Sequence, residues 1–372
     1  MKIKEFGVEI WMNAYETQCR YNLAETCVES ITLGQLLAFA GKTESILDDL
    51  LPLKMAYGAI EGSDRLRDLI ASLYDNQRRE NVIVTHGAIG ANALVHETLV
   101  EPGDHVISVA PTYQQHYSIP ESYGAEVSIL RLREENAFLP DLEELRGMVR
   151  DNTRLIALNN PNNPTGSLMD CGMLEAIVDI ARSVDAWLLC DEVYRGTDQH
   201  GDGFTVSIAD LYEKGISTAS MSKTFSLAGL RLGWIVAPPA LIHAVSIHRD
   251  YNTISVGLLD DHFACIALEQ RARILQRAHA LTRDNLRLLD AWVANEPRVS
   301  YVKPKAGTTA LLKLDVDMPS REFCVKLLEA KGVMFTPGSA LDIEGYVRIG
   351  YANNPEVMKE GLARVSEFLR EI

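Results

Sequence analysis

Short apolar segments recur along the chain as far as residue 237, and polar or small residues follow each of them. The segments comprise residues 82–84, 105–109, 125–130, 154–158, 187–190, 215–219 and 231–237. Helical spacing occurs between them, for example in residues 94–99. Short buried strands that alternate with helices are typical of an α/β fold with a largely parallel sheet. The carboxyl ends of such strands meet at one edge, where we expect functional side chains.

A different pattern follows this alternation. Residues 258–293 have a long helical pattern without proline or glycine and with charges on one side, which suits a helix that links two domains. After Pro297, strand-like segments and two further helical patterns occur in the order typical of an α+β unit. The sequence therefore predicts a large α/β domain and a smaller α+β domain.

The charge and the cysteines disfavour several classes of protein. A net charge of −15 disfavours nucleic acid or an anionic membrane as the main partner. The six cysteines show neither close pairing nor metal-ligand spacing, so we expect reduced, mostly structural thiols and no metal site. No apolar run reaches membrane-spanning length, and residues 1–9 lack the apolar core of a signal peptide. We therefore predict a cytoplasmic protein.

Lys223 lies among small hydroxyl residues directly after the strand-like segment 215–219. Burial lowers the pKa of a lysine, and the neutral amine forms Schiff bases with carbonyl compounds such as pyridoxal phosphate. Ser220, Ser222 and Arg231 add two hydroxyls and a planar cationic donor, which together suit a phosphate group. A surface turn with an unrelated arginine explains this stretch equally well when it is taken alone.

Polar side chains also follow two other predicted strands. Asn163 lies in the loop after residues 154–158, and Asp191 comes directly after residues 187–190. A buried carboxylate needs a cationic partner to stay ionised, and a pyridinium nitrogen is such a partner. Tyr194 and Asn163 suit hydrogen bonds to a phenolic oxygen, and Tyr113 offers a flat face for stacking. Alternatively, Asn163 forms a turn and Asp191 is a cap. Tyr113 and Tyr194 would then be half-buried aromatic residues of the core.

Gly87, Ala88 and Ile89 form a turn between the strand-like segment 82–84 and a helical pattern. The free N–H groups of a helix start bind anions readily. Close packing of the helix against the strand is the alternative explanation for the small residues at this turn.

These motifs follow the order found in one family of enzymes. The sequence resembles the fold-type I, class I/II aminotransferases, which depend on pyridoxal phosphate, over nearly the whole chain. The motifs that carry the resemblance are Tyr57-Gly58, Gly87-Ala88-Ile89, residues 159–166, Asp191-Glu192-Val193-Tyr194, residues 220–223 with Arg231, and Tyr346-Val347-Arg348-Ile349. The resemblance implies a large domain at residues 45–270. It also implies a small α+β domain formed by both chain ends, residues 1–44 and 271–372.

The resemblance also implies a role for most of these side chains. Lys223 would form the Schiff base with the cofactor and would later transfer a proton. Tyr57 would reach the phosphate of the neighbouring subunit, so that a homodimer would share its active sites. The other implied roles are Asp191 at the pyridine nitrogen, Asn163 and Tyr194 at the phenolic oxygen, Tyr113 stacked on the ring, and Ser220, Ser222, Arg231 and the N–H groups of Gly87, Ala88 and Ile89 at the phosphate.

The expected substrate-binding residues depart in part from the family pattern. Arg348 would bind the α-carboxylate through a bidentate pair, with Asn163 beside it. Relatives commonly have a glycine and a proline where this chain has Ala24-Glu25-Thr26-Cys27. Glu25 and Thr26 are therefore predicted substrate contacts, and Glu25 would favour a cationic or hydroxylated substrate. The alternative is that Glu25 faces solvent or caps a turn.

The predicted activity is transfer of the amino group of an L-amino acid to a 2-oxo acid. A second hypothesis keeps the cofactor but makes the reaction β- or γ-elimination or replacement, with or without ring closure. It rests on a short similarity of the N-terminal segment to capreomycidine synthase-like enzymes. A third hypothesis, a ligand sensor within a transcription regulator, is disfavoured by the acidic charge and by family motifs that begin early in the chain.

Overall fold

Thirteen strands form three sheets in residues 2–372, the part of the chain that the computed structural model describes. They are β1 (Tyr21–Asn22), β2 (Val82–Thr85), β3 (His105–Ala110), β4 (Glu126–Arg131), β5 (Thr153–Asn159), β6 (Trp187–Asp191), β7 (Gly215–Ser220), β8 (Gly233–Val236), β9 (Val299–Tyr301), β10 (Thr309–Leu314), β11 (Val333–Met334), β12 (Thr336–Pro337) and β13 (Tyr346–Gly350).

The largest sheet has seven strands in the order β2-β8-β7-β6-β5-β3-β4. Neighbouring strands from β7 to β4 are parallel, and β8 alone among the seven runs in the opposite direction. The predicted largely parallel sheet is therefore confirmed. Its strand order brings the carboxyl ends of β5, β6 and β7 side by side.

The α-helices described in residues 2–372 surround this sheet and build most of the smaller unit. They are α1 (Gly7–Tyr15), α2 (Leu33–Ala40), α3 (Ile46–Leu50), α4 (Asp64–Ala71), α5 (Gly87–Leu99), α6 (Gln115–Ser122), α7 (Leu142–Met148), α8 (Cys171–Ser183), α9 (Ile208–Leu211), α10 (Pro239–Asp250), α11 (Leu258–Glu269), α12 (Arg271–Asn295), α13 (Ser320–Lys331) and α14 (Pro355–Glu371). Within the described residues, no helix is long and apolar enough to cross a membrane.

Side-chain caps fix where the early helices begin. The Thr32 hydroxyl accepts a hydrogen bond from the Gln35 N–H at 3.1 Å, and the Gln35 side chain accepts one from the Thr32 N–H at 2.8 Å. Ser63 caps α4 and accepts from the Leu66 N–H at 3.1 Å. Such a cap contributes about 1 kcal/mol to the stability of a helix.

Both faces of the large sheet are buried, which explains why its strands are apolar throughout. In β5, Leu155 and Ala157 pack into the core on one face, whereas Ile156 and Leu158 pack into the core on the other. Side chains alternate between the two faces of a strand, so a strand covered by helices on both sides needs apolar residues at every position. The core therefore lies in two layers, one on each side of the sheet.

The predicted single helix over residues 258–293 is wrong, because the chain forms two helices that meet at Gln270. Most of α11 is apolar and packs with the core of the large sheet through residues such as Phe263 and Ile266. α12 carries charges along one side and reaches the second core with Leu286 and Leu289. Gln270 separates the two helices, because its backbone angles of φ −97° and ψ 13° are not helical.

The smaller unit combines both ends of the chain. The antiparallel strands β12-β13-β10-β9 form one sheet, and β1 pairs with β11 in parallel. Trp11 and Leu23 from the N-terminal segment pack with Phe323, Phe335 and Val347 from the C-terminal segment. The α/β fold with a large, mostly parallel sheet and a smaller domain is thus as predicted. The boundaries at 45–270 and at 1–44 with 271–372 remain a proposal, because packing alone does not define independently folding units.

Candidate active site

A cavity of about 340 Å³ lies at the carboxyl ends of β5, β6 and β7, between the large sheet and the N-terminal segment. Two groups of side chains line it. We call Asn163, Asp191, Tyr194, Lys223 and Arg231 the sheet side. We call Glu9, Glu16, Glu25, Thr26 and Cys27 the N-terminal side.

Asn159 fixes the relative positions of the first two strand ends. It is paired with Asp191 in the register of β5 and β6, and its amide donates to the Asp191 carbonyl at 2.7 Å. Its carbonyl oxygen accepts from the Asn163 N–H at 2.7 Å. One asparagine side chain therefore holds both the start of the 160–166 loop and the end of β6.

The Asp191 side chain is almost completely buried and receives two neutral donors. One carboxylate oxygen accepts from the Asn92 amide at 2.8 Å, and the other accepts from the Val193 N–H at 3.1 Å. Nε2 of the buried His116 lies 3.6 Å from the carboxylate. The carboxylate also borders the cavity, where a cationic ring nitrogen would supply the full countercharge that neutral donors lack.

His96 lies behind His116, with ring centroids 5.7 Å apart. Burial first, and then His116, lowers the pKa of His96 well below its ordinary value. No ring nitrogen of either histidine has a hydrogen-bond partner in the described residues. The sequence patterns did not point to Asn92 or to these two histidines, because each lies within a helix and its neighbours in space are distant in the chain.

The Lys223 amine donates to the Thr26 hydroxyl at 2.6 Å and approaches the Cys27 sulphur at 3.4 Å. Burial alone would lower the pKa of Lys223, but Cys27, Tyr194 and Glu25 outweigh it and raise the pKa above the ordinary value. Burial acts on Lys223 in the expected direction, but the net change in its pKa is opposite to the one expected from burial alone. Burial raises the pKa of the Cys27 thiol and of the Tyr194 phenol, so at neutral pH the Glu25 carboxylate is the charge that acts on Lys223.

Small residues and Arg231 form a cradle at the start of α5. Gly87 has a φ of +66°, which favours glycine, and a Cβ atom there would lie 3.2 Å from Nη2 of Arg231. The Ser220 hydroxyl accepts from the Ser222 N–H at 3.2 Å, and Ala88, Ile89 and both serines line the cavity. Backbone N–H groups, hydroxyls and a guanidinium converge here, and together they can bind a phosphate.

Arg348 lies in β13 and is buried at the cavity wall. Its Nη atoms donate to the Asn163 side chain at 3.3 Å and to the Ala24 carbonyl and Thr336 hydroxyl at 3.2 and 3.1 Å. Its Nε–H has no partner in the described residues. A buried, partly satisfied guanidinium is suited to receive a carboxylate.

The N-terminal helix α1 borders the cavity, although no helix is predicted there from the sequence. Val8, Glu9, Met12 and Glu16 line the cavity from α1 and the residue after it. The Tyr113 hydroxyl donates to Glu9 at 2.7 Å and thereby ties the helix to the wall of the cavity. The apolar residues Val8, Trp11, Met12 and Tyr15 have helical spacing, and this was the signal that could have identified α1.

Glu25 lies between the helix and Lys223. One of its oxygens accepts from the N–H groups of Thr26 and Cys27 at 2.7 and 2.8 Å. Burial opposes ionisation of Glu25, but Lys223 and these two N–H groups outweigh burial and lower its pKa. A Cβ atom on Gly350 would lie 1.6 Å from the Glu25 carbonyl oxygen, so glycine is required for β13 to approach this segment.

The cavity brings together nearly all the residues predicted for a site. Tyr57 is the exception, since it is 81% exposed and lies outside the cavity of its own chain. Gly87 adjoins the cavity through Arg231, while Ala88 and Ile89 line it. Cys27, expected to be structural, instead lies beside Lys223.

Comparison with known proteins identifies the family. The family model described as aminotransferase class I and II matches residues 53–365. The chain belongs to this family. A PLP-dependent aminotransferase from Streptococcus suis 89-1591, known from its crystal structure, is 44% identical to this aminotransferase-family protein. The alignment covers 100% of this chain and 99% of that one, with a TM-score of 0.97.

Two further relatives carry different names. Capreomycidine synthase from Streptomyces vinaceus is 30% identical over 367 residues, which cover 97% of this aminotransferase-family chain and 93% of that protein. Aspartate aminotransferase from Pyrococcus horikoshii is 31% identical over 299 residues, which cover 78% and 75%. These relatives share the family but differ in the reaction that their names describe.

Pyridoxal phosphate is the cofactor of this aminotransferase-family protein. The cavity fits it in three respects. A buried carboxylate, Asp191, borders the cavity, an amine, Lys223, lies within it, and the cradle of Gly87 and Arg231 leaves room that a Cβ atom would fill. These are the groups needed for a pyridine nitrogen, an aldehyde and a phosphate.

Proposed function

We propose that this protein transfers the amino group of an L-amino acid to a 2-oxo acid. One observation carries the proposal: the Lys223 amine lies in the same cavity as the buried carboxylate of Asp191 and the incompletely satisfied guanidinium of Arg348. An amino-group transfer needs a base, an electron sink and a binding site for the α-carboxylate. Lys223 would be the base, Asp191 would support the electron sink, and Arg348 would bind the carboxylate.

The sheet side would hold the cofactor. In this proposal Lys223 would hold its aldehyde carbon, Asp191 would pair with the ring nitrogen, and Asn163 and Tyr194 would hydrogen-bond its phenolic oxygen. Tyr113 lines the cavity and is anchored by its hydroxyl to Glu9, and its ring would stack on the cofactor. The phosphate contacts are Ser220, Ser222, Arg231 and the N–H groups of Gly87, Ala88 and Ile89.

Lys223 would act as the general base of the reaction. When bound, pyridoxal phosphate supplies an electron sink for the charge that develops at the substrate Cα. The Lys223 amine, neutral and no longer attached to the cofactor, would accept the Cα proton, and the Thr26 hydroxyl, which accepts its 2.6 Å hydrogen bond, would orient it. Arg348 binds the α-carboxylate and thereby positions Cα for the proton transfer. The helix α1 covers the reacting groups and limits the access of water.

We also propose a homodimer in which Tyr57 of each subunit reaches the phosphate of the other. Large apolar side chains are exposed in the same part of the sequence and near residue 254, namely Leu47, Leu51, Met55, Ile60, Tyr251, Ile254 and Leu259. Exposed apolar patches of this kind favour an interface. Loss of cofactor affinity in Tyr57→Ala, in a protein that remains dimeric, is the expected result.

Elimination or replacement with ring closure is the second candidate. The observation that favours it is the similarity to capreomycidine synthase from Streptomyces vinaceus, which extends over 97% of this chain and therefore includes the N-terminal side of the cavity. In that reaction the same base would act on the substrate, but the amino group would not remain on the cofactor.

A half-reaction distinguishes the two candidates. The purified protein with its cofactor is mixed with single L-amino acids in the absence of any 2-oxo acid, and absorbance and products are followed. Transamination predicts stoichiometric loss of the visible absorption, release of one 2-oxo acid per subunit, and recovery after addition of pyruvate. Ammonia or a cyclic product, with absorption that recovers without pyruvate, would establish the second candidate instead.

A further inference from the structure

We propose that the amino acid bound here carries a positively charged side chain, which the carboxylates of Glu9, Glu16 and Glu25 hold. The proposal rests on the proposed function, because it concerns the substrate of the same cavity. It extends the expectation for Glu25 to a site of three carboxylates, two of which lie on or directly after the helix α1.

The three carboxylates form an acidic region whose negative charge Lys223 compensates only in part. Glu9, Glu16 and Glu25 all line the cavity. Burial raises the pKa of Glu16, and the charges of Glu25 and Glu9 raise it further, while Lys223 only partly opposes them. In the described residues the Glu16 carboxylate forms no hydrogen bond that stabilises its charge. A cation bound between these groups would relieve their repulsion.

The cations of the cavity are directed elsewhere. The Lys223 amine donates to Thr26, and Arg231 lies beside Gly87 in the phosphate cradle. Arg348 contacts Asn163 and Ala24. None of the three forms an ion pair with a glutamate of this region within 4 Å in the described part of the chain. Within the described residues the acidic region therefore has no cation in direct contact, and Lys223 acts on it only at a longer distance.

A second observation identifies the rest of the ligand. Arg348 is 3% exposed, and its Nε–H has no partner in the described residues. An unsatisfied buried guanidinium at the cavity wall indicates a carboxylate ligand. The cavity thus offers a carboxylate site at Arg348 and a cation site on the N-terminal side. A basic amino acid presents both charges.

Two of the three carboxylates are held in place before any ligand binds. The Tyr113 hydroxyl holds Glu9, and the N–H groups of Thr26 and Cys27 hold Glu25. Carboxylates that are already ordered lose little conformational entropy on binding. A guanidinium presents a planar fork of donors that matches carboxylates, so an arginine-like side chain suits this region better than a compact ammonium.

The test compares ligands of equal shape and different charge. L-Arginine and L-citrulline differ in the charge of the terminal group, as do 5-guanidinopentanoate and 5-ureidopentanoate, which lack the α-amine and cannot react. For the protein with its cofactor, we expect kcat/KM for arginine to exceed that for citrulline by about a hundredfold. Calorimetry should show tighter binding of the guanidino acid than of the ureido acid. L-Lysine and L-norleucine test whether an ammonium suffices.

Charge-neutral variants assign the preference to these residues. Glu16→Gln and Glu25→Gln should each lower the arginine-to-citrulline ratio of kcat/KM about tenfold. Glu5→Gln is the matched control, because Glu5 is an exposed carboxylate that does not line the cavity. Its ratio should equal that of the unmodified protein.

Equal binding of the guanidino and ureido acids by the unmodified protein would overturn the inference, whatever the variants do. Transamination of neutral or acidic amino acids with no preference for arginine would overturn it too and would leave the proposed function intact. Preferential binding of the guanidino acid without any transamination would support the inference and reject the proposed function.

Discussion

The two sides of the cavity are built in different ways. On the sheet side, Asn163, Asp191 and Lys223 follow the ends of adjacent strands, and the backbone register of the sheet sets their positions. On the N-terminal side, a helix and an irregular segment meet the cavity through side-chain hydrogen bonds such as Tyr113 to Glu9. In the proposed function, side chains positioned by the sheet hold the cofactor, and side chains of the N-terminal side contact the substrate. Substrate specificity can change on that side without a change in the sheet.

Loss of charge at Asp191 should have the largest effect among the substitutions discussed here. Asp191→Asn preserves size and one acceptor but removes the negative charge that is proposed to pair with the ring nitrogen. We expect turnover with the best donor to fall by about 10²–10³-fold. Asp198→Asn makes the same exchange at a carboxylate outside the cavity and should leave turnover unchanged. If turnover of Asp191→Asn stayed within twofold of the unmodified protein, the proposed pairing of Asp191 with the ring nitrogen would be contradicted.

An intermediate effect is expected at Arg348, which joins the two sides. Arg348→Lys keeps the charge but loses the donor fork, so KM for the amino acid should rise by about ten- to a hundredfold, with a smaller change in kcat. The amine that corresponds to this amino acid without its α-carboxylate should react equally poorly with Arg348→Lys and with the unmodified protein. Arg287→Lys, at an exposed position on α12, is the control. An equal loss with the amine would assign Arg348 a structural role only.

The smallest effect concerns stability, and it tests the electrostatic coupling between the two sides. The pKa of Glu25 is lower in the folded protein than in the unfolded chain. The ionised carboxylate therefore stabilises the fold at pH values above the ordinary pKa of a glutamic acid, and this contribution is lost as the pH falls through the folded pKa. Glu25→Gln should lower the apparent Tm of the cofactor-free protein by roughly 1–2 °C at neutral pH.

Thermal unfolding at neutral pH and at about pH 4 measures this difference. The amide oxygen of glutamine can still accept from the Thr26 and Cys27 N–H groups, so the change isolates the charge. The deficit should shrink at the acidic pH. A deficit that is the same at both pH values would mean that Glu25 and Lys223 do not interact through charge.

The sequence was sufficient to predict most strands of the large sheet. It also predicted most of the cavity residues that we call the sheet side. Each strand is short, apolar and followed by a polar group, and the parallel arrangement follows from the alternation with helices. Asn163, Asp191 and Lys223 were placed correctly at the cavity because strand ends converge at one edge. Their individual roles remain proposals that the variants above test.

The N-terminal side could not be predicted to the same extent. Its contacts join residues far apart in the chain, such as Tyr113 with Glu9 and Lys223 with Thr26, and no local pattern encodes such pairs. The raised pKa of Lys223 was missed for the same reason, since it depends on neighbours as well as on burial. The break between α11 and α12 was missed because helical spacing continues across Gln270.

Identification of the lysine that carries the cofactor is the most direct test of the account. The protein with bound pyridoxal phosphate is reduced with borohydride, which makes the link to the cofactor permanent, and its peptides are analysed by mass spectrometry. We predict that the added mass lies on Lys223 in nearly all molecules and is absent from Lys223→Ala. Added mass on any other lysine, or its persistence in that variant, would contradict the assignment of this cavity.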